Sequence, residues 1–367
     1  RIILRRRHLI RTNPQPLPGA NAVAVQNLPE SPAKDEDDQA RGVFVSQPVA
    51  PACDDQAHHP IKIMNTGLLQ DDIYATHDTG LGHPECAARH AAVTRALADS
   101  GLSGRLVKIE ARRAEFAELE RCHPRGYIEL VREETAAGAD TLSTGDTQIC
   151  PRSFEAALHA AGGVMAAVDA VLAGRLKRAF CAVRPPGHHA RPAQGMGFCL
   201  FNNIALGARH AQQRHGAAKV AIVDWDVHHG NGTQDIFYED GSVFFFSTHQ
   251  SPWYPFTGYA DEIGAGKGRD ATMNCPFKAG AGMKEIGGAF DDKLLPALAG
   301  FNPDLIMISA GFDSRLGDPL GGFRLTDADF VELTRKLKRA ADELCGGRLV
   351  SVLEGGYHLD GLAKAVT

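Results

Sequence analysis

Residues 220–232, VAIVDWDVHHGNG, set the prediction of both the fold and the site. The first four residues are apolar and mostly β-branched, which is typical of a buried strand. Asp224, Asp226 and His228 then follow at every second position, and alternate side chains of an extended strand share one face. Two carboxylates and an imidazole would therefore converge at the end of the strand, which is a metal-ligand geometry. The glycine-rich turn that follows indicates a loop opening onto this site.

Short apolar runs elsewhere in the chain predict the other strands. Each run is four or five residues long and nearly without alternation, as expected of strands that are buried on both faces. They lie at 179–183, 219–223, 243–246, 305–308 and 349–353, and a further short strand begins near Thr66. Helical patterns lie at 111–120, 125–137, 151–173, 201–215, 283–299 and 326–344, with another helix starting near Pro84. Strands that alternate with helices predict a single three-layer α/β/α domain with a mainly parallel sheet.

Further polar segments follow the predicted strands, where the site of such a fold is expected. They are RPPGHHA at 184–190, SAGFDSRLGDPLGG at 309–322 and LEGGYHL at 353–359, together with GFCLFNN at 197–203. A lone DxDxH motif would also be compatible with solvated side chains at a strand end, because short polar motifs recur by chance. The additional segments make that alternative much weaker.

From about residue 65 to the C-terminus, these motifs and their order resemble the histone deacetylase family, in its class II and bacterial amidohydrolase-like branch. The resemblance implies an arginase/deacetylase-like fold. It also implies a metal-dependent hydrolase that removes acetyl groups from acetyl-lysine in proteins or peptides. An amidohydrolase acting on small acetylated amines such as acetylpolyamines is the alternative. A catalytically inactive acyl-lysine binder is a third hypothesis. It predicts that at least one catalytic or metal-ligand residue is missing, and this sequence retains all of them.

The resemblance implies that Asp226, His228 and Asp313 bind the metal. Three protein ligands leave coordination positions open for water and a carbonyl oxygen, which is typical of a catalytic metal. Zinc is the usual ion of the family, but two aspartates and one histidine also suit Fe(II), Co(II) or Mn(II). The dinuclear manganese site of arginase-like enzymes is rejected, because the DWDVHHG pattern lacks their additional aspartate and histidine.

The resemblance also implies four catalytic residues. His188 hydrogen-bonds the buried Asp224 and acts mainly electrostatically, His189 is the general base and then the acid, and Tyr357 donates a hydrogen bond to the bound carbonyl. The stiff RPPG segment before the two histidines can hold both rings in place. The partner position of His189 falls at Asn231, and a neutral partner leaves that imidazole easily deprotonated near pH 7.

Several residues match the substrate path of the family. Phe198, preceded by Gly197, and Tyr254 match an aromatic pair that walls a narrow tunnel, and such walls suit the methylene stem of a lysine. Leu320 matches the gate at the tunnel mouth, where the polyamine-preferring member has a glutamate. Arg89, in the HPExxxR element, matches an arginine that lines a channel through which acetate leaves. Asp146 is a weaker candidate for binding substrate backbone amides.

Two monovalent-cation sites, for potassium or sodium, are implied by the resemblance as well. The first would use oxygens of Asp224, Asp226, His228, Ser247 and Thr248, and the second would use carbonyls of Phe237, Asp240 and Val243. Apart from the resemblance, these are ordinary loop and strand residues.

The first residues differ in composition from the rest of the chain. Five arginines and no acid occur in 1–29, an acidic run follows at 30–38, and prolines recur. Such a segment buries too little apolar surface to fold, so we expect a disordered or extraneous extension at 1–63 and a catalytic domain at 64–367. An arginine-rich start without acids also resembles a transit peptide, which is the alternative interpretation.

Composition also limits the partners and the compartment. A formal net charge of −5 argues against a general nucleic-acid binder, whereas recognition of one acetylated lysine needs no basic surface. No apolar run suggests a membrane span. Eight cysteines without a CxxC pair are typical of reduced thiols, so we expect a cytoplasmic protein. Acetylated lysine or a small acetylated amine is the expected partner, and a homo-oligomer is compatible with the sequence.

Overall fold

The computed structural model of the protein describes residues 66–367, so the predicted extension at 1–63 lies outside the described residues. Eight strands form one sheet, and every neighbouring pair is parallel. They are β1 (Thr66–Leu69), β2 (Val107–Ile109), β3 (Arg178–Cys181), β4 (Val220–Asp224), β5 (Val243–Gln250), β6 (Thr272–Phe277), β7 (Leu305–Ala310) and β8 (Leu349–Leu353). Their spatial order is β2-β1-β3-β8-β7-β4-β5-β6.

Helices cover both faces of this sheet. They are α1 (Ala87–Asp99), α2 (Phe116–Leu119), α3 (Arg125–Ala136), α4 (Ser153–Leu172), α5 (Asn203–His215), α6 (Asn231–Phe237), α7 (Met283–Ala289), α8 (Leu295–Phe301), α9 (Asp327–Leu344) and α10 (Leu359–Val366). Apolar residues of α3, α4 and α5 pack on one face, and those of α1, α7, α8, α9 and α10 pack on the other. The predicted three-layer α/β/α domain with a parallel sheet is confirmed.

Strand β4 shows why the predicted strands lack alternation. Val220 and Ile222 belong to one apolar layer, while Ala221 and Val223 belong to the other, and all four are fully buried. Burying a valine or isoleucine side chain contributes about 1.5–3 kcal/mol, so both faces of the strand select apolar residues. The first polar side chain of the strand is that of Asp224, its last residue, where the strand emerges from between the two helical layers.

The sequence pattern missed two strands and two helices. Strands β2 and β6 lie at the two edges of the sheet, where a strand is covered less completely and its apolar pattern weakens. Strand β6, TMNCPF, even contains Pro276, which an edge strand tolerates because one side of its backbone has no neighbouring strand. The short helices α6 and α10 follow polar segments that predicted only turns.

Two predicted helices have different bounds in the structure. The pattern at 111–120 becomes only the four-residue α2, where the Glu118 carboxylate accepts the N–H of Glu115 at 3.0 Å and fixes the start. The pattern at 283–299 is interrupted by a π-helical turn at Phe290–Leu294 and continues to Phe301. A π-helical turn shifts the side-chain phase, which a fixed period of 3.6 residues does not anticipate.

Among the described helices, α4 is long and apolar enough to cross a membrane by length and composition. It lies against α5 and the sheet, and 72% of its most apolar window is buried inside the domain. Burial of this extent is typical of the central helix of a folded core.

Candidate active site

The predicted site residues meet at the carboxyl ends of four adjacent strands. In spatial order these are β3, β8, β7 and β4, at the centre of the sheet. The two-histidine loop follows β3, the GGY segment follows β8, the loop with Asp313 follows β7 and the DxDxH segment follows β4. Loops after parallel strands open at the same edge, so segments that are far apart in sequence share one site.

The three candidate metal ligands, Asp226, His228 and Asp313, are buried together, with their ligand atoms all within 4.8 Å of one another. The Nδ1 atom of His228 lies 3.1 Å from Oδ1 of Asp226 and 3.1 Å from Oδ2 of Asp313. Backbone groups orient the carboxylates: Gly355 N–H donates to Asp226 Oδ2 and Val227 N–H donates to Asp313 Oδ1, both at 2.9 Å.

The charges of this group fit a divalent cation. Burial, together with the neighbouring Asp226, raises the pKa of Asp313 to about 7, so the two carboxylates need positive charge between them. His228 responds to the same need: burial alone would lower the pKa of this ring, but hydrogen bonds to both carboxylates raise it to about 10 when no metal is bound. A cation in place of that proton would meet one nitrogen and two carboxylate oxygens, a set that suits zinc and related ions.

Two glycines allow the carboxylates to approach this closely. A Cβ atom at Gly311 would lie 2.0 Å from Asp226 Oδ2, and one at Gly355 would lie 2.1 Å from Asp313 Oδ2. Neither separation is possible for real atoms, and the carboxylates are held by backbone hydrogen bonds. The glycines of the AGFD and EGGY segments are therefore required by the space that the ligand carboxylates occupy.

The two histidines after β3 have different partners and different charges. Nδ1 of His188 lies 2.9 Å from Asp224 Oδ2, and Nδ1 of His189 lies 2.8 Å from Asn231 Oδ1. Burial would lower the pKa of His188, but the charges of Asp224 and Asp226 raise it to about 10. Burial, and then the charge of His188, holds the pKa of His189 well below its usual value.

These partners also assign the proton on His189. Asn231 Oδ1 can only accept, so Nδ1 of the neutral His189 carries the proton and Nε2 keeps a free lone pair. His188 is the charged ring of the pair and His189 is the neutral one at pH 7. The structure thus brings together both contacts expected from the sequence, and the second ring can accept a proton.

A cavity of about 230 Å³ adjoins this group and is open to the surface. It is lined by Asp146, His189, Gly197, Phe198, His228, Trp253, Tyr254, Leu320 and Tyr357. The predicted wall, gate and tyrosine residues therefore share one cavity with the predicted base and one metal ligand.

Asp146 holds the two aromatic walls together. Its carboxylate accepts the N–H of Gly197 at 2.8 Å and the hydroxyl of Tyr254 at 3.0 Å. The first contact fixes the turn at Phe198, which has a φ of 67°, a conformation that is uncommon for residues with a side chain. Asp146, the weaker candidate for a substrate contact, thus links the backbone next to Phe198 to the side chain of Tyr254.

Tyr357 packs against Arg89 at the inner side of the cavity. The guanidinium carbon lies 4.9 Å from the centre of the Tyr357 ring, and Arg89 donates to the carbonyl oxygens of Gly356 and Glu354 at 2.6 and 2.5 Å. Burial raises the pKa of Tyr357 well above its usual value, so the hydroxyl keeps its proton and can donate it. Arg89 is fully buried, and its predicted role in an acetate channel stays a prediction.

Glu85 anchors the two-histidine loop to the loop before α1. Its carboxylate binds the guanidinium groups of Arg184 and Arg89, and all three side chains are fully buried. Burial would raise the pKa of Glu85, but Arg184 lowers it to about 2 from an ordinary value of 4.5. Because the folded pKa is the lower one, this ion pair stabilises the protein above pH 4.5, and the contribution disappears as the pH falls toward 2.

Replacing Glu85 with glutamine is therefore expected to lower the free energy of unfolding by about 3–5 kcal/mol, because Arg184 and Arg89 stay buried without a counter-charge. Urea unfolding at pH 7 measures the change. The matched control is Glu332→Gln, which removes an exposed partner of Arg335 and should cost less than about 1 kcal/mol. Equal losses for the two variants would contradict the assigned role of the buried cluster.

The residues expected at each of the two monovalent-cation sites lie close together. Asp224 pairs with Ser247 in the register of β4 and β5, and Ser247 and Thr248 are buried beside it. In the second group, the carbonyl of Phe237 accepts the N–H of Asp240 at 2.9 Å and the carbonyl of Asp240 accepts the N–H of Val243 at 3.3 Å. Both cation sites stay predictions.

Asp169, His210 and His215 form a second group whose atoms could meet a metal ion. Both histidine Nε2 atoms lie 2.7 Å from one oxygen of Asp169, which is the spacing of hydrogen bonds. Arg121 lies 2.9 Å from Nδ1 of His210, so that nitrogen accepts and the proton sits on Nε2, where a metal would have to bind. We interpret this group as a hydrogen-bonded link between α4 and α5.

Three residues around the cavity were not singled out from the sequence. Trp253 lines the mouth and donates to the carbonyl of Leu320 at 2.9 Å, and its position beside Tyr254 was the available signal. Glu354 accepts the backbone N–H groups of the two-histidine loop, and Asp318 accepts that of Tyr357. Both acids lie inside motif segments, but nothing in a linear motif shows which backbone an acid reaches.

Comparison with known proteins shows which proteins this chain is similar to. A family profile described as the histone deacetylase domain matches residues 83–367. The chain is 41% identical over 316 residues to the human protein "Polyamine deacetylase HDAC10", covering 82% of this chain and 45% of that protein. It is 42% identical over 278 residues to the Pseudomonas aeruginosa "Histone deacetylase-like amidohydrolase", covering 75% and 73%. The crystal structure of the HDA15 HD domain superimposes with a TM-score of 0.77 at 39% identity, covering 82% of this chain and 86% of the other.

Proposed function

The chain belongs to the histone deacetylase family, and on that premise we propose that it is a zinc-dependent hydrolase that removes acetyl groups from acetyl-lysine in proteins or peptides. The family implies a deacetylase, while the ion and the substrate are our proposal. One observation supports it most: the neutral His189 lies at the end of a narrow cavity that it shares with His228 of the candidate metal group.

The candidate ligands and His189 have separate roles in the attack of water on the acetyl group. When held by Asp226, His228 and Asp313, zinc would polarise the acetyl carbonyl and lower the pKa of water toward about 7. His189 accepts the proton of the attacking water at Nε2, because its Nδ1–H is donated to Asn231. As the C–N bond breaks, the same ring gives the proton to the departing amine, and acetate is the other product. Because water attacks the carbonyl carbon directly, no covalent intermediate with the protein is needed.

His188 and Tyr357 stabilise the negative charge that develops on the acetyl oxygen. His188 is held in the charged state by Asp224 and places positive charge beside the site. Tyr357 lines the cavity and burial raises the pKa of its hydroxyl, so the protonated hydroxyl would donate a hydrogen bond to the oxygen as the carbonyl is attacked. Both groups are in place before the reaction, so no reorganisation is required of them.

The shape of the cavity supports a thin, unbranched substrate. Phe198 and Tyr254 line a cavity of about 230 Å³, and Asp146 binds both the hydroxyl of Tyr254 and the backbone N–H of Gly197, the residue before Phe198. A lysine side chain offers four methylene groups that pack between aromatic rings, with the acetamide at the far end.

The decisive experiment is an assay of acetate release. The purified protein, loaded in turn with Zn(II), Co(II) and Fe(II), is given acetyl-lysine peptides and acetylspermidine. We expect peptide deacetylation that a chelator abolishes and that the same metal restores. His189→Ala is the matched control, because it should keep the metal and lose the activity. Full metal loading without acetate release from any substrate would refute the proposal.

A small acetylated amine is the second candidate substrate, since one relative bears the name of a polyamine deacetylase. The residue at the cavity mouth argues against it here. Leu320 offers no charge to a second ammonium group, so a polyamine entering past it loses solvation without gaining an ion pair. The neutral flanks of an acetyl-lysine peptide meet the same leucine without that cost.

Leu320→Glu is therefore expected to shift selectivity toward acetylspermidine by about tenfold, which corresponds to about 1.4 kcal/mol. The quantity to compare is the ratio of kcat/KM for acetylspermidine and an acetyl-lysine peptide. Leu316→Glu, at a position outside the cavity lining that is 48% exposed, is the matched control and should leave the ratio unchanged. If the wild-type enzyme already prefers acetylspermidine, or if the glutamate leaves the ratio unchanged, a small acetylated amine becomes the leading hypothesis for the substrate.

A further inference from the structure

One carboxylate, that of Asp318, joins the segment that contains Tyr357 to the segment at the cavity mouth. Its Oδ2 atom accepts the backbone N–H of Tyr357 at 2.7 Å and that of His358 at 3.0 Å. Its Oδ1 atom accepts the N–H of Leu320 at 2.9 Å. Asp318 is only 8% exposed, so water competes little for these bonds.

The backbone around Tyr357 depends on such tertiary contacts. The residue follows the end of β8 and lies in no helix or strand, and the preceding Gly356 has a φ of 119°, a region open mainly to glycine. On one side, Arg89 holds the carbonyls of Glu354 and Gly356. Asp318 accepts the N–H of Tyr357 itself, so the backbone of this segment is held by Arg89 at its carbonyls and by Asp318 at its amide.

The hydrogen bonds continue from Asp318 to the entrance of the cavity. The indole N–H of Trp253 donates to the carbonyl of Leu320, whose own N–H donates to Asp318. Three consecutive contacts therefore link an aromatic residue at the mouth to the tyrosine at the inner end. A displacement of the mouth segment would move the backbone of Tyr357 with it.

We propose that Asp318 is a positioning residue, which holds the hydroxyl of Tyr357 in place for the reaction and couples it to the cavity mouth. The inference rests on the proposed function, since it assumes that the hydroxyl stabilises the acetyl oxygen. Asp318 touches no reacting atom and acts only through the backbone of Tyr357. A misplacement of about 1 Å in such a group typically costs up to about 100-fold in rate.

A double-mutant cycle with Tyr357→Phe tests this. Asp318→Ala is expected to lower kcat by about tenfold to 100-fold with little change in KM or metal content. In the Tyr357→Phe background the same change should cost less than about threefold, because the hydroxyl that it positions is absent. Asp318→Asn keeps one oxygen acceptor for both amides and should recover part of the loss. Full additivity in the cycle would overturn the inference.

The control variant removes another acid that contacts the same segment. Asp327 binds Arg315, three residues before Asp318, and does not contact Tyr357. Asp327→Ala is expected to keep kcat within about twofold of the wild type, as surface changes usually do. A loss equal to that of Asp318→Ala would mean that general loosening of the segment, and not the tyrosine, is responsible.

Amide hydrogen exchange gives a readout that needs no activity. Exchange of the Tyr357 and His358 amides in the metal-loaded protein should accelerate in Asp318→Ala and not in Asp327→Ala. If the alanine variant does not fold, Asp318→Leu, which has a similar shape and offers no acceptor, serves in both measurements. A wild-type protein that hydrolyses no acetamide refutes the proposed function, whereas unchanged exchange in the variant without an acceptor refutes the positioning role, so the two failures are distinguishable.

Discussion

Asp313→Asn is expected to reduce zinc affinity by more than the 10- to 100-fold that loss of an outer hydrogen-bond partner typically costs. The substitution removes one of two anionic ligands while its remaining oxygen can still accept the N–H of Val227. The fold should therefore survive without the metal. Elemental analysis and a competition titration with a chelator of known affinity measure the loss, and deacetylation at limiting zinc should fall with it.

The control for this prediction is an aspartate far from the site. Asp291 is half exposed and pairs with Lys336, and Asp291→Asn should retain the wild-type zinc stoichiometry and affinity. The metal-free Asp313→Asn protein should be no less stable than the metal-free wild type, because it no longer buries two neighbouring carboxylates. Undiminished zinc affinity in the asparagine variant would remove Asp313 from the ligand set.

Tyr357→Phe is expected to lower kcat by about 10²–10³ with KM nearly unchanged, because the phenol donates mainly in the transition state. The variant keeps the ring that packs against Arg89 and Phe198, so only the hydroxyl is lost. Steady-state kinetics on an acetyl-lysine peptide separate kcat from KM. A large rise in KM with kcat preserved would mean that the hydroxyl binds the ground state instead.

A second tyrosine provides the matched control. Tyr259 is 57% exposed and does not line the cavity, and Tyr259→Phe removes a hydroxyl from the same protein without touching the site. It should hydrolyse the peptide at the wild-type rate. Near wild-type kcat in Tyr357→Phe as well would show that His188 and the metal ligands stabilise the oxyanion without help from the tyrosine.

The fold was predicted well where a segment is buried on both faces. The five apolar runs appear as β3, β4, β5, β7 and β8, because burial on both sides leaves a continuous apolar pattern in the sequence. The edge strands β2 and β6 lack that pattern and were missed. Helix ends were less accurate, since Glu118 and a π-helical turn at Phe290–Leu294 decided two of them through local hydrogen bonds.

The sequence predicted those residues of the candidate site that lie within recognisable motifs. The spacing of Asp224, Asp226 and His228 predicted one extended strand, but β4 ends at Asp224, and Asp226 and His228 lie in the bends that follow. The order of the motifs indicated the family. The contacts of His188 with Asp224 and of His189 with Asn231 were expected in advance. Which residues are present, and which family they indicate, were therefore determined by the sequence alone.

The tertiary structure alone decided how those segments support one another. Asp146 closes the cavity walls, Glu85 pairs with an arginine 99 residues away, and Arg89 reaches the carbonyl of Glu354 across 265 residues. Sequence periodicity reports how each segment is buried, but a side-chain contact depends on which strands are neighbours and where their loops turn. In the sequence, Asp318 is an acidic residue of a loop with no visible partner. Its hydrogen bond to the backbone of Tyr357 arises because β7 and β8 are neighbours in the sheet, so the loops that follow them lie side by side.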